Sequence, residues 1–134
     1  MREILFRGKR VYNGEWVEGY AFDDDLIESN KMFIGYIVIE NGMATGQNFY
    51  EVIPETVGQY TGLTDKNGKK IFEGDIILYG FIPCVVKYDI ENARFMLYEK
   101  GVYLRNGFNI DTMKLKEVIG NIHDNPELLG GAEQ

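Results

Sequence analysis

Ser29, Cys84 and His123 are each the only residue of their type in this 134-residue chain, so nucleophilic chemistry has few possible assemblies. A Ser-His-acid triad can only be built from Ser29 and His123 with a carboxylate. Ser29 sits in Leu26-Ile27-Glu28-Ser29-Asn30, without the Gly-x-Ser-x-Gly turn that lifts a serine above a sheet. A Cys-His pair can only be Cys84 with His123. Cys84 lies between Pro83 and Val85-Val86, where a thiol reads as a small core side chain, since free cysteines are mostly buried and inert. His123 reads as a strand-end residue. Zinc held by Cys and His ligands is ruled out by number.

Oxygen ligands leave one metal candidate, Asp23-Asp24-Asp25, for Mg²⁺ or Ca²⁺. It lacks the spaced Asp-x-Asn-x-Asp-Gly loop, and a run of like charges more often faces water. Asp75, after Gly74, could act as a catalytic acid, but an Asp in that setting commonly binds the amides of its own turn. Neither Gly-x-Gly-x-x-Gly nor a Walker sequence is present. The expectation is no cofactor and no resident metal, and the inventory favours binding over catalysis, with a metal-dependent enzyme as the least favoured alternative.

Charge separates the binding classes. The chain carries 21 acids against 14 Lys and Arg, a net charge of -7. Segment by segment, residues 1–20 carry +1, 21–61 carry -6, 62–101 carry 0 and 102–134 carry -2. A negative field opposes phosphate backbones. Two basic clusters could act locally: Arg7, Lys9 and Arg10, and Lys66, Lys69 and Lys70. Tyr60 and Phe72 flank the second, making Tyr60, Lys66, Lys69, Lys70 and Phe72 a candidate aromatic-plus-basic interaction surface. The competing description is a hairpin tip kept soluble by lysines with its aromatics turned inward, and the net charge favours it. The acidic stretch 21–61 could instead face a basic partner.

The elements that must position these residues are strands. Asn-Gly occurs at 13–14, 41–42, 67–68 and 106–107, and each pair accepts the positive φ of tight hairpins. Glu3–Arg7 and Glu15–Tyr20 flank the first, and Met32–Glu40 and 43–53 flank the second, with Pro54 ending the pairing. The nearly unbroken apolar run within Met32–Glu40 predicts a central strand. Around the third turn, Asp65 can bind its own downstream backbone, with Gly68 in the left-handed position. Strands follow at Ile76–Tyr79, Val85–Tyr88, Phe95–Tyr98 and Val118–Ile122, with a turn over Asp89–Ala93. Asn125-Pro126-Glu127-Leu128-Leu129-Gly130 predicts one short helix capped by Asn125 and stopped at Gly130. No stretch has helical apolar spacing over ten or more residues, which argues against a parallel α/β fold.

The chain length suits one domain with a sizeable core. The expectation is a single domain over 1–134, with possible sub-lobes 1–53 and 54–134. One cysteine allows no internal disulfide, pointing to a reducing compartment. Charges interrupt the apolar residues of Met-Arg-Glu-Ile-Leu-Phe-Arg-Gly-Lys-Arg, so no signal-peptide core is expected, and no run nears the ~20 residues of a membrane span. The expected location is the cytoplasm.

Three segments resemble a known family: Phe6-Arg7-Gly8-Lys9 with Gly14–Tyr20; Glu55-Thr56-Val57-Gly58-Gln59-Tyr60-Thr61-Gly62-Leu63 continuing over Asp65–Asp75; and Val118–Leu129. Together they resemble the YopX-like proteins of phages and prophages of Gram-positive bacteria. The resemblance implies a mainly β fold, an SH3-like small barrel or curled antiparallel sheets, and a phage-encoded origin. It carries no catalytic positions. The expected role is a phage or prophage accessory protein that works by binding a protein partner or its own copies, with nucleic-acid binding as the alternative.

Overall fold

The structure, a computed structural model, describes residues 3–23, 30–100, 102–104 and 108–130. The chain falls into two compact units, Met1–Gln59 and Tyr60–Gln134. All strand pairings are antiparallel.

The first unit begins with a hairpin of β1 (Phe6–Lys9) and β2 (Trp16–Asp23), paired Lys9 to Trp16 and Arg7 to Glu18. Its turn is closed by Asn13, whose Oδ1 accepts the Glu15 N–H at 3.0 Å, and by Gly14 at φ 73°. A second hairpin joins β3 (Met32–Glu40) to β4 (Met43–Val52). Asn41 and Gly42 both take positive φ, 52° and 78°, the backbone that matches a two-residue turn to the twist of its strands. The strand order is β4-β3-β2-β1, and β1 also pairs with Gly58 and Gln59, the start of β5 (Gly58–Thr64).

Glycines let the strands of this unit approach closely. Ile34 and Val52 are fully buried, and a Cβ on Gly8 would lie 3.1 Å from both. A 3-10 turn, Pro54–Thr56, follows β4. Thr56 Oγ1 ties it down, accepting the Lys9 N–H at 2.9 Å and donating to the Ile53 carbonyl at 2.6 Å. Burial stops partway along the β3–β4 hairpin. Beyond a register shift between Ile34 and Tyr36, the side chains of Tyr36, Ile37 and Ile39 are exposed. The apolar run therefore gives a strand flanked on both sides but second from the end of its sheet, and solvent-facing over its distal half.

In the second unit the rest of β5 pairs with β6 (Lys70–Phe72). Five further strands, β7 (Asp75–Tyr79), β8 (Ile82–Asp89), β9 (Arg94–Glu99), β10 (Val102–Leu104) and β11 (Val118–Asn121), form a sheet in the order β10-β9-β8-β7-β11. Its core gathers Ile71, Ile77, Cys84, Val86, Leu97, Met113 and Val118, with Leu63, Phe95 and Phe108 packed at the edge. Met113 comes from a four-residue helix, α1 (Ile110–Met113), whose first turn is capped by Asn109 Oδ1 accepting the Thr112 N–H at 2.8 Å. Neither this helix nor β10 is expected from the sequence, both being too short to show a period.

The fold is mainly β, built of curled antiparallel sheets. The five-stranded sheet does not close into a barrel, since β10 and β11 end it as non-neighbours. The short C-terminal helix is a 3-10 turn over Pro126–Leu129, stopped by Gly130 at φ 68°. Asn125 does not cap it. Its Oδ1 instead accepts the Asn121 N–H at 3.2 Å, and a Cβ on Gly120 would come within 2.5 Å of that same oxygen, so glycine there is what admits the Asn125 side chain. The Asn-Gly at 106–107 lies outside the described residues. Among them, no helix is long and apolar enough to cross a membrane.

Candidate functional site

Among the residues that could do covalent chemistry, Cys84 is fully buried in the apolar core of the second unit. Burial, reinforced by the charge of Glu99, pushes its thiol up to about 11. A thiol held protonated is a poor nucleophile. We expect a disulfide reagent at neutral pH to leave Cys84 unlabelled in the folded protein and to react once denaturant opens the sheet. Rapid stoichiometric labelling under native conditions would refute this. His123 is half-buried, and its backbone N–H donates to Asn121 Oδ1 at 3.0 Å. Ser29, Asp24 and Asp25 lie outside the described residues. Asp23 ends β2 opposite Met32. Among the described residues no three His, Cys, Asp or Glu side chains gather to hold a metal.

The carboxylates of Asp75 and Asp65, beside the Gly74 and Gly68 turns, act on backbone. Asp75 is buried, and its Oδ2 accepts the Phe72 N–H at 2.7 Å. Asp65 is buried too and makes three such bonds. Oδ1 accepts from Asn67 and Lys69 at 2.9 Å each, and Oδ2 from Val118 at 3.0 Å. Burial pushes the Asp65 carboxyl up, but the N–H groups of Val118, Lys69 and Asn67, with the Lys69 charge, outweigh it and hold the group below the usual carboxylate range. Asp89 performs the same task at the β8–β9 turn. Its carboxylate is bonded first by the Asn92 side chain at 2.7 Å and then by the Glu91 N–H at 3.2 Å, which also lowers its pKa.

The structure places the candidate surface Tyr60, Lys66, Lys69, Lys70 and Phe72 around the β5–β6 hairpin. Tyr60 and Phe72 are cross-strand partners with ring centroids 5.6 Å apart, and both are buried. Their faces are therefore not open for bases to stack on. Lys70 lies over the Tyr60 ring at 5.8 Å, and Lys66 pairs with Glu117 at 3.6 Å. The tip offers ammonium groups rather than an aromatic platform.

The other basic cluster lies in the first unit. Arg7, buried, and Lys9 approach the Trp16 ring at 4.7 and 5.8 Å. Arg10 stands apart from them, beside Tyr12 and Tyr50. The same unit exposes an apolar face on β2–β4. The Phe49 ring meets Phe22 edge-on at 5.1 Å and lies over Gly35 and Gly46. Ile37 and Ile39, paired with Gly46 and Ala44, lie beyond it, with Ile39 73% exposed. The sequence signal for this face was the apolar run of β3, which reads equally well as core.

These features define a mainly β chain whose buried carboxylates and thiol serve its own backbone and core, and whose outward features are an apolar hairpin and cation–aromatic clusters. Residues 5–130 match the family described as YopX protein, and the chain belongs to that family. It is similar to protein EF1440 from Enterococcus faecalis, known from a crystal structure, at 27% identity and a TM-score of 0.63 over 96% of this chain and 99% of that one. No match was found among curated proteins.

Proposed function

We propose that this protein is a phage or prophage accessory protein that works by protein–protein association through the β3–β4 hairpin, with a second copy of the chain as its first partner. The observation that carries the reading is the hairpin itself. It combines the exposed side chains of Ile37, Ile39 and Phe49 with an end strand, β4, whose C-terminal end is tied to residues 9–11. Over residues 43–50 that strand has no charge and no proline. Sheet edges are ordinarily guarded by lysine, proline or a covering element, and exposed apolar patches of this kind mark association surfaces. The family resemblance supports the phage setting, and the single buried cysteine supports a reducing cytoplasm.

Light scattering during gel filtration tests it. The wild-type chain is expected to elute as an oligomer, and Ile37→Glu/Ile39→Glu as a monomer, with secondary structure unchanged because both side chains face solvent. A wild-type monomer at high concentration overturns self-association. Pull-down from prophage-carrying cells with the same two proteins then tests for other partners, and identical captures by both would remove the hairpin from the account.

A further inference from the structure

We infer that the turn of the β1–β2 hairpin carries a second recognition site, centred on Arg10, that takes one carboxylate from a peptide segment with an apolar or aromatic neighbour. The Arg10 guanidinium lies 4.1 Å from the centre of the Tyr50 ring and 5.7 Å from that of Tyr12. Its backbone is fixed as well. Arg10 bridges Val52 of β4, its N–H donates to the Glu15 carbonyl at 2.8 Å, and its carbonyl accepts from Gly14 at 2.9 Å.

Among the described residues Arg10 has neither an ion pair nor a side-chain hydrogen bond. The acids nearest in sequence and register, Glu15 and Glu51, make no ion pair with it. A guanidinium presents a planar fork of N–H donors suited to binding a carboxylate through two bonds. Stacking on a ring orients that fork without using its donors, so less side-chain freedom is lost when an anion arrives. Tyr12, 87% exposed, offers an uncovered ring beside it. Tyrosine and arginine are also the residues on which protein interfaces most often depend.

Charge argues for a single carboxylate over a nucleic acid. Binding to a phosphate backbone grows with the number of phosphates neutralised. Arg7 is buried and Arg7 and Lys9 both have further interactions, which leaves Arg10 as the cation of this cluster without an ion pair among the described residues, and residues 21–61 carry -6. One anion can be held against that field, whereas a polyanion would be repelled. The site is separate from the apolar hairpin face, so its failure would leave self-association untouched.

The test is an NMR titration of the intact protein, reading the Arg10 Nε–H and the amides of Val11 to Gly14. The probes are a blocked pentapeptide Ala-Leu-Asp-Phe-Ala, its Asn counterpart and a short oligothymidylate, each up to about 5 mM, a range in which millimolar affinity is visible. The Asp peptide is expected to move these signals, and the Asn peptide to bind roughly tenfold more weakly, the loss of one charge-assisted contact. Arg10→Gln is expected to abolish the response and Arg10→Lys to retain a fraction of it. Unchanged Trp16 fluorescence and unchanged amides in the second unit show that the variants fold. Equal response to the Asp and Asn peptides, wild-type binding by Arg10→Gln, response to the oligothymidylate alone, or no response to any probe would each overturn the assignment.

Discussion

Replacing Asp65 by alanine is expected to destabilise the second unit by about 3 kcal/mol, because one carboxylate satisfies three backbone donors. The Val118 contact dominates. It is buried and joins residues 53 apart in sequence, so the Val118 N–H would be stranded away from water. The Asn67 and Lys69 contacts are only partly buried, and water can replace much of what they lose. Asp65→Asn retains one acceptor oxygen but turns an NH₂ toward a donor, and is expected to cost about half as much. Amide exchange at Asn67, Lys69 and Val118 reports the site directly, and unchanged protection of Val118 in the alanine variant would refute the argument.

The pH dependence has a definite sign. The folded-state pKa of Asp65 lies below its ordinary value. Its stabilisation is therefore complete above the unfolded carboxylate pKa of about 3.9 and is lost as pH falls through the depressed folded value. Asp89 acts in the same direction. The stability gap between wild type and Asp65→Asn should close in strong acid and stay constant from mildly acidic to neutral pH.

Gly19→Ala is expected to destabilise the first unit by about 3 kcal/mol, at the upper end of the usual range for overpacking. A Cβ at this position would lie 2.5 Å from the Gly35 carbonyl oxygen and 3.1 Å from its carbonyl carbon. Both are backbone atoms of the neighbouring strand, so the clash can be relieved only by moving β3 away from β2. Gly46→Ala makes the contrast. There the obstruction is the Phe49 ring at 1.8 Å, a side chain that can rotate, and about 1 kcal/mol is expected. Trp16 is the only tryptophan of the chain and lies in this unit, so its fluorescence follows the denaturant transition of both variants. A Gly19→Ala midpoint equal to that of the wild type would contradict the close approach of these strands.

The turns were the most legible part of the sequence. Asn-Gly at 13–14, 41–42 and 67–68 each falls in a turn, with Gly14, Gly42 and Gly68 at positive φ, because that backbone demand selects residue type directly. Asp65 could be read as binding its own downstream backbone, which is local. Its bond to Val118 could not, since nothing in a linear pattern marks a partner that distant. Burial was harder still. The apolar run of β3 cannot separate core from exposed hairpin, because alternation is missing on both faces and the outcome depends on where neighbouring strands stop. Arg10 offered only its charge. That it stacks on Tyr50 follows from β1 and β4 meeting at the Arg10–Val52 bridge, a tertiary fact. Cys84 lay within apolar neighbours and was legible as core.

The long reach of Asp65 also bears on the order in which the chain can fold during synthesis. Its contacts to Asn67 and Lys69 close short loops and can form as soon as that turn leaves the ribosome. The contact to Val118, like the pairing of β7 with β11, must wait for the C-terminal quarter of the chain. Distant contacts of this kind carry the loop-closure entropy and slow folding. Until β11 docks, β7 has one unpaired edge and the Asp65 carboxylate lacks its deepest donor. The last strand thus acts as the clasp of the second unit, and a chain truncated before Val118 should expose that edge to aggregation.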